Sequence, residues 1–468
     1  MKLINRLTHS LIQNKIRLKW KIMDLVRTKG MRWISSGHFI QYILLKHIIH
    51  RINLAHLFAA HRYWPTNFIS KFVCKEMPLV AGRIDGFVDI VKIDQLKPIA
   101  RRTIVLKNPD IQKAHIEKGV LLITFTETFP FFFNYIDCHQ LLKYFYVVLE
   151  PSWAGYCDPN ILFWMKHKPH PVIVQATEIK DFHFLQALKS NLIPVTFGAS
   201  DWVDMRIFQP LPGIKKEYDA IYVTNYNPIK RQHLLFRALN EMRDPNYKVV
   251  LAFGRDGYAK SEINHLIEYY NVSNNLIIYE ALPQPQLNEI LNMSKVNLLL
   301  SFKEGSNRSI FEAFFANVPG IVLRNNIGVN KDYINEMTGR LIEEKEVLQA
   351  LLYFKTNWAQ YNPRAWALDN ISPLVTTRKL SRCLQKIAED KGELWTRELV
   401  PKVNAPEVKY FYPEDERSML DSQTVVSLFL RTNFEHIKSE QVLKNHILGR
   451  SMSKGREPFE KIREVKQS

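Results

Sequence analysis

Cysteine is scarce and scattered in this sequence. Its four copies, Cys74, Cys138, Cys157 and Cys383, make no C-x-x-C pair and no paired framework. That argues against a disulfide-stapled module and a cysteine-based metal site, and for a reducing cytoplasm. Long apolar runs are also absent. The best stretch, residues 39 to 60, is broken by Lys46, Arg51 and several histidines, short of the ~20 apolar residues that a spanning helix needs. The basic N-terminus has no compact hydrophobic stretch with a cleavage site, so no secretory signal is expected. There is no internal repeat, no low-complexity tract, and no proline in the first 64 residues. The remaining composition is that of a globular protein, 46% hydrophobic and 24% charged over 468 residues, a length that calls for two or three domains.

Negative charge is nearly missing from one end. The chain carries a net +18, and residues 1–60 hold eleven lysines and arginines against one acid, Asp24. Ile4, Leu7 and Leu11, then Ile12, Ile16, Trp20 and Met23, recur at helical spacing with lysines and arginines between them. Residues 1–75 therefore read as a basic amphipathic helical segment. Such helices either lie on an anionic membrane surface, which would place the protein at the inner face of the membrane, or dock on the protein's own core with their lysines in water. No groove-reading motif is present, so no nucleic-acid partner is expected.

From about residue 100, short β-branched runs alternate with helical stretches. Strands are expected at 102–106, 119–124, 144–149, 171–175 and 192–197, and, beyond the Pro- and Gly-containing connector 209–216, at 219–224, 247–253, 275–279, 296–300 and 319–323. Helices are expected between them, at 230–241, 258–271, 284–293, 306–317 and 343–355. This alternation predicts two doubly wound, Rossmann-like α/β domains, 76–210 and 211–360, with parallel sheets facing a cleft. Residues 361–468 read as a helical extension (376–391, 421–432, 437–448) with a polar tail at 449–468.

The chemistry gathers after the strand Val296–Leu300. Glu304 falls in the loop at the cleft mouth and Glu312 in the second turn of the following helix. Gly305 permits close backbone approach to a ligand, and Ser306 or Asn307 is a fitting N-cap, whose helix offers free N–H groups to a phosphate. Lys230, at another strand end, supplies a cation. Taken alone, the two glutamates are also what a helix dipole favours near its start. The run Ser301–Val322, however, resembles the Glu-x7-Glu block of retaining glycosyltransferases of family 4. Val203–Pro210, Leu282–Leu287 and Thr338–Ile342 are similar to other blocks of that family in the same order.

The resemblance implies a GT-B fold, a nucleotide-diphosphate sugar donor and retention at the anomeric carbon, in a hexosyltransferase-type reaction without an essential metal. It implies contacts from Glu304 to the donor sugar, from Glu312 to the ribose and from Lys230 to the diphosphate. The family commonly has Gly-Arg after the domain's first strand. Here Thr224-Asn225 stands in that place, so Asn225 donates without charge and Arg231 is the nearest substitute, although its position beside Lys230 turns it elsewhere. For the acceptor, Glu127, Glu150, Trp153, Glu178 and Asp201 sit at strand ends of the first domain and form a candidate wall. The reading is a transferase acting on a glycan or lipid-linked acceptor in cell-surface polysaccharide synthesis. A sugar-nucleotide epimerase and a polyanion-binding scaffold are the alternatives.

Overall fold

A computed structural model describes residues 2–62, 67–92, 96–111, 116–404 and 407–431. The helix expected at 437–448 and the tail at 449–468 lie outside these residues. Two sheets dominate. The first has strands β1 (Thr103–Lys107), β2 (Gly119–Thr124), β3 (Phe145–Glu150), β4 (Val172–Gln175) and β5 (Leu192–Val195) in sequential order. Every residue of β2 and β3 is buried, as expected for strands covered on both faces. Along β2, Leu121 and Ile123 face one core, while Val120 and Leu122 face the other.

The second sheet is wholly parallel, in the order β11-β10-β9-β6-β7-β8. Its strands are β6 (Ala220–Tyr226), β7 (Val249–Gly257), β8 (Leu276–Glu280), β9 (Asn297–Leu299), β10 (Gly320–Leu323) and β11 (Gly339–Ile342). Three features depart from the sequence reading. β1 runs antiparallel to β2, with the Asp110 and Glu117 backbones paired beside it, because the connection between the strands is too short in sequence for a parallel crossover. The edge strand β11 was not foreseen. Nor was the C-terminal hairpin β12 (Lys402–Asn404) and β13 (Val408–Tyr410).

The terminal segments tie the two halves together. Helix α1 (Lys2–Leu25) leads through a π-helical turn into α2 (Met31–His47), followed by α3 (Leu54–Arg62) and α4 (Asn67–Val80). Trp20 of α1 is buried in the core of the second domain, while Tyr42, Leu54 and Met77 belong to the core of the first. At the other end the chain returns. Helix Pro373–Asp390 lays Leu380, Leu384 and Ala388 on the outer face of the first sheet, so much of the expected extension is a layer of the first domain.

Candidate active site

Strand order puts the key residues side by side. β6 and β9 are neighbours, and the loops leaving their C-terminal ends bond to each other, with the Phe302 N–H donating to Ile229 O at 3.0 Å. After β6, the Asn227 side chain caps a 3-10 turn, Pro228–Lys230. After β9, the Glu304 N–H is held by Ile327 O at 2.7 Å. Lys230 Nζ thereby lies 2.6 Å from Glu304 Oε1, both largely buried. A cation beside a carboxylate at strand ends can meet an anion and a hydroxyl-rich group together.

The helix Arg308–Phe315 is capped by Asn307, whose side chain accepts from the Ile310 N–H at 3.2 Å. Ser306 serves otherwise. Its hydroxyl accepts from the Ser200 N–H of the first domain at 2.8 Å. Glu312 is buried, and burial raises its carboxyl above the ordinary range against the pull of Arg308, whose Nε is 4.0 Å away. Asn225 sits at the end of β6, half-buried, its backbone carbonyl accepting from Gln232 at 2.7 Å.

Two expectations for this loop change. Arg231 is no donor ligand. In the left-handed backbone region, it turns to the far side, fully buried, and pairs with Asp24 of α1 at 3.1 Å and Glu344 at 2.7 Å. Gly305 does admit a close approach, but to protein. A Cβ there would lie 1.7 Å from Ser152 O, so its missing side chain lets the two domains meet.

The acceptor candidates divide. Glu150 accepts from Lys402 at 2.8 Å and Asn404 at 2.9 Å. Glu178 accepts from the Gly328 N–H at 2.8 Å, across the domain boundary. Asp201 accepts from the Gly198 N–H and from the Tyr333 hydroxyl, each at 2.9 Å, and burial pushes its carboxyl up to about 7. These three are buried and bonded to protein partners, and Glu150 also lines a cavity of 170 Å³ with Ser306 and Arg308. Trp153 and Glu127 instead face a cavity of 890 Å³, shared with Phe58, Phe87 and Lys303. Trp153 is 48% exposed, and an accessible ring beside a carboxylate suits stacking and hydroxyl binding to a saccharide.

Lys303 was missed, although it stands next to Glu304. Neighbours in an extended loop point opposite ways, so Glu304 turns to Lys230 and Lys303 to the first domain, its Nζ 3.5 Å from where a Cβ of Gly155 would be. Arg255 was missed as well. It is exposed near the C-terminal end of strand β7, adjacent to β6, and a Cβ on the preceding Gly254 would lie 3.9 Å from the Asn225 Cβ. Its signal was only a cation after a strand, too common to single out.

With this geometry in place, residues 205–363 match the family model described as glycosyl transferases group 1. No curated relative matches the chain. Among solved structures, the chain is similar to S. aureus TarM at 19% identity and TM-score 0.45, over 56% of this chain and 54% of that one. It thus spans about half the length of TarM. It is also similar to sucrose-phosphate synthase from Thermosynechococcus elongatus, at 13% identity and TM-score 0.47 over 58% and 74% of the two chains. Anabaena HepE in complex with UDP is similar at 14% and TM-score 0.45, over 57% and 78%. The segment 205–363 that matches the group 1 glycosyltransferase model coincides with the second, wholly parallel α/β sheet and its helices.

Proposed function

We propose that this protein transfers a sugar, with retention, from a nucleotide-diphosphate donor to a glycan or lipid-linked acceptor in cell-surface polysaccharide synthesis. The observation that carries the reading is the Lys230–Glu304 pair at 2.6 Å, inside the segment matched by the family model. In this scheme Glu304 holds donor sugar hydroxyls, Glu312 the ribose, and Asn225 with the 308–315 helix start the phosphates. The bond between the anomeric carbon and the diphosphate oxygen breaks, and the acceptor oxygen bonds on the same face. The acceptor proton passes to a donor phosphate oxygen and leaves with the nucleoside diphosphate. Lys230 and the first-turn N–H groups stabilise the charge that grows on the leaving group.

No divalent cation has a part in this scheme, so EDTA should leave the rate unchanged. Loss of turnover on chelation, restored by Mg²⁺, would require a different mechanism. The deciding experiment is a thermal-shift screen of nucleoside diphosphates and their sugars, followed by a transfer assay with Glu304→Gln. Saturable, salt-resistant stabilisation and loss of transfer in the variant are expected. Absence of any nucleotide effect would favour the polyanion scaffold, and turnover of donor without acceptor the epimerase.

A further inference from the structure

We propose that the outer face of the N-terminal helices is a docking surface for an anionic lipid bilayer. Residues 2–47 run as one helical rod, interrupted only by the π-helical turn Val26–Gly30, and at 1.5 Å per residue it is about 70 Å long. Its inner face is taken. Trp20, 1% exposed, donates to Glu262 at 2.7 Å, Arg17 lies over Tyr269, and Asp24 pairs with Arg231 and His233. Ser35 and Tyr42 are buried farther along.

The opposite face is bare. Leu11, Leu18, Ile22 and Leu25 are 70%, 58%, 51% and 55% exposed. Their spacing aligns them in one stripe with Lys15 and Lys29, both exposed. On α2 the stripe continues through Trp33, Ile40 and Leu44 to Ile48 at its C-cap, with Trp33 81% exposed. On α4, Phe68 and Leu79 flank exposed Lys75 in the same manner.

Single exposed leucines are ordinary; a ten-turn apolar stripe lined with lysines is not. The only acid in the first 60 residues, Asp24, points inward and is paired. The outer face therefore offers apolar side chains for the acyl boundary and cations for the headgroups, with no carboxylate to oppose an anionic surface. No described helix is long and apolar enough to cross a membrane, so this contact lies in the interface plane. α3, which follows the rod, lends Ala55, Phe58 and Ala59 to the 890 Å³ cavity. A seated rod would hold that cavity near the bilayer, where a lipid-linked acceptor resides. This last step alone rests on the proposed transfer reaction.

The test is flotation of the full-length protein with vesicles of phosphatidylcholine alone or mixed with phosphatidylglycerol. Binding is expected only to the anionic vesicles, weakening with salt. A Lys15→Glu/Lys29→Glu variant should bind at least tenfold less tightly, at about fivefold per lost lysine charge. Trp33→Ser should also weaken binding, and Trp33 should be quenched by brominated lipid. These side chains are exposed, so circular dichroism and Tm serve as folding controls. Equal binding to neutral vesicles, no binding, or indifference to both variants would overturn the proposal. So would a concentration-dependent dimer abolished by Trp33→Ser, which would make a second copy the occupant. Nucleotide binding, read separately by thermal shift, reports on the transfer reaction without touching this outcome.

Discussion

Lys230 and Glu304 are 74 residues apart in sequence and 2.6 Å apart in space. Removing the cation should deprive the leaving diphosphate of its nearest charge, so Lys230→Ala is expected to lower kcat about 10²–10³-fold, with donor KM changed far less, by steady-state kinetics. An unchanged kcat would remove Lys230 from the chemistry. Gly305→Ala tests the domain contact. Because a Cβ would collide with Ser152 O, the domains must separate locally, and a loss of about 1–3 kcal/mol in denaturant unfolding is expected. Asp201 carries a pH signature. Burial, opposed by the Gly198 N–H and the Tyr333 hydroxyl, places its folded pKa at about 7, above the ~3.9 of an unfolded chain. The folded state therefore holds the extra proton between those values, and this contribution to stability is present at low pH and lost as pH rises through 7. Asp201→Asn should flatten the fall in Tm over that window; an unaltered slope would refute the assignment.

At the scale of elements, α1 does more than cover the second domain. Asp24 holds Arg231, the residue after Lys230, and also accepts from His233 at 2.8 Å. Burial pushes the Asp24 carboxyl up, but His233 and Arg231 outweigh it and keep the group below its ordinary value. Asp24→Ala should leave Arg231, 1% exposed, with Glu344 alone, at a cost of about 3 kcal/mol, the low end for breaking a buried pair. Urea unfolding measures this. The helix 284–293 was read from its period with both ends correct, because a proline start and a regular apolar face are local signals. β11 and β12–β13 were missed because their short runs are interrupted by Arg340, Lys402, Asn404 and Lys409, whereas equally short strands such as β10 sit in unbroken apolar stretches. The choice of Asn307 over Ser306 as cap was also out of reach, since a partner in the other domain, Ser200, claims Ser306.

For the whole molecule, the C-terminal return is the decisive connection. Lys402, fully buried, reaches Glu150 at 2.8 Å, and burial brings its ammonium down to about 8 in spite of that partner. Lys402→Ala strands a buried carboxylate and should cost about 3–5 kcal/mol in denaturant unfolding; a loss under about 1 kcal/mol would show that the return strand is not anchored there. The sequence alone determined the alternation of strands and helices, the basic one-sided N-terminus, and the motif with Glu304, Glu312 and Lys230, because each is written in local periodicity or fixed spacing. Tertiary structure decided the rest. It sent Arg231 inward, gave Glu150, Glu178 and Asp201 buried protein partners, and left Trp153 and Glu127 on an open cavity. A strand-end carboxylate looks the same in sequence whether its partner is a ligand or a lysine 252 residues away, and only the packed chain brings that partner within hydrogen-bond reach.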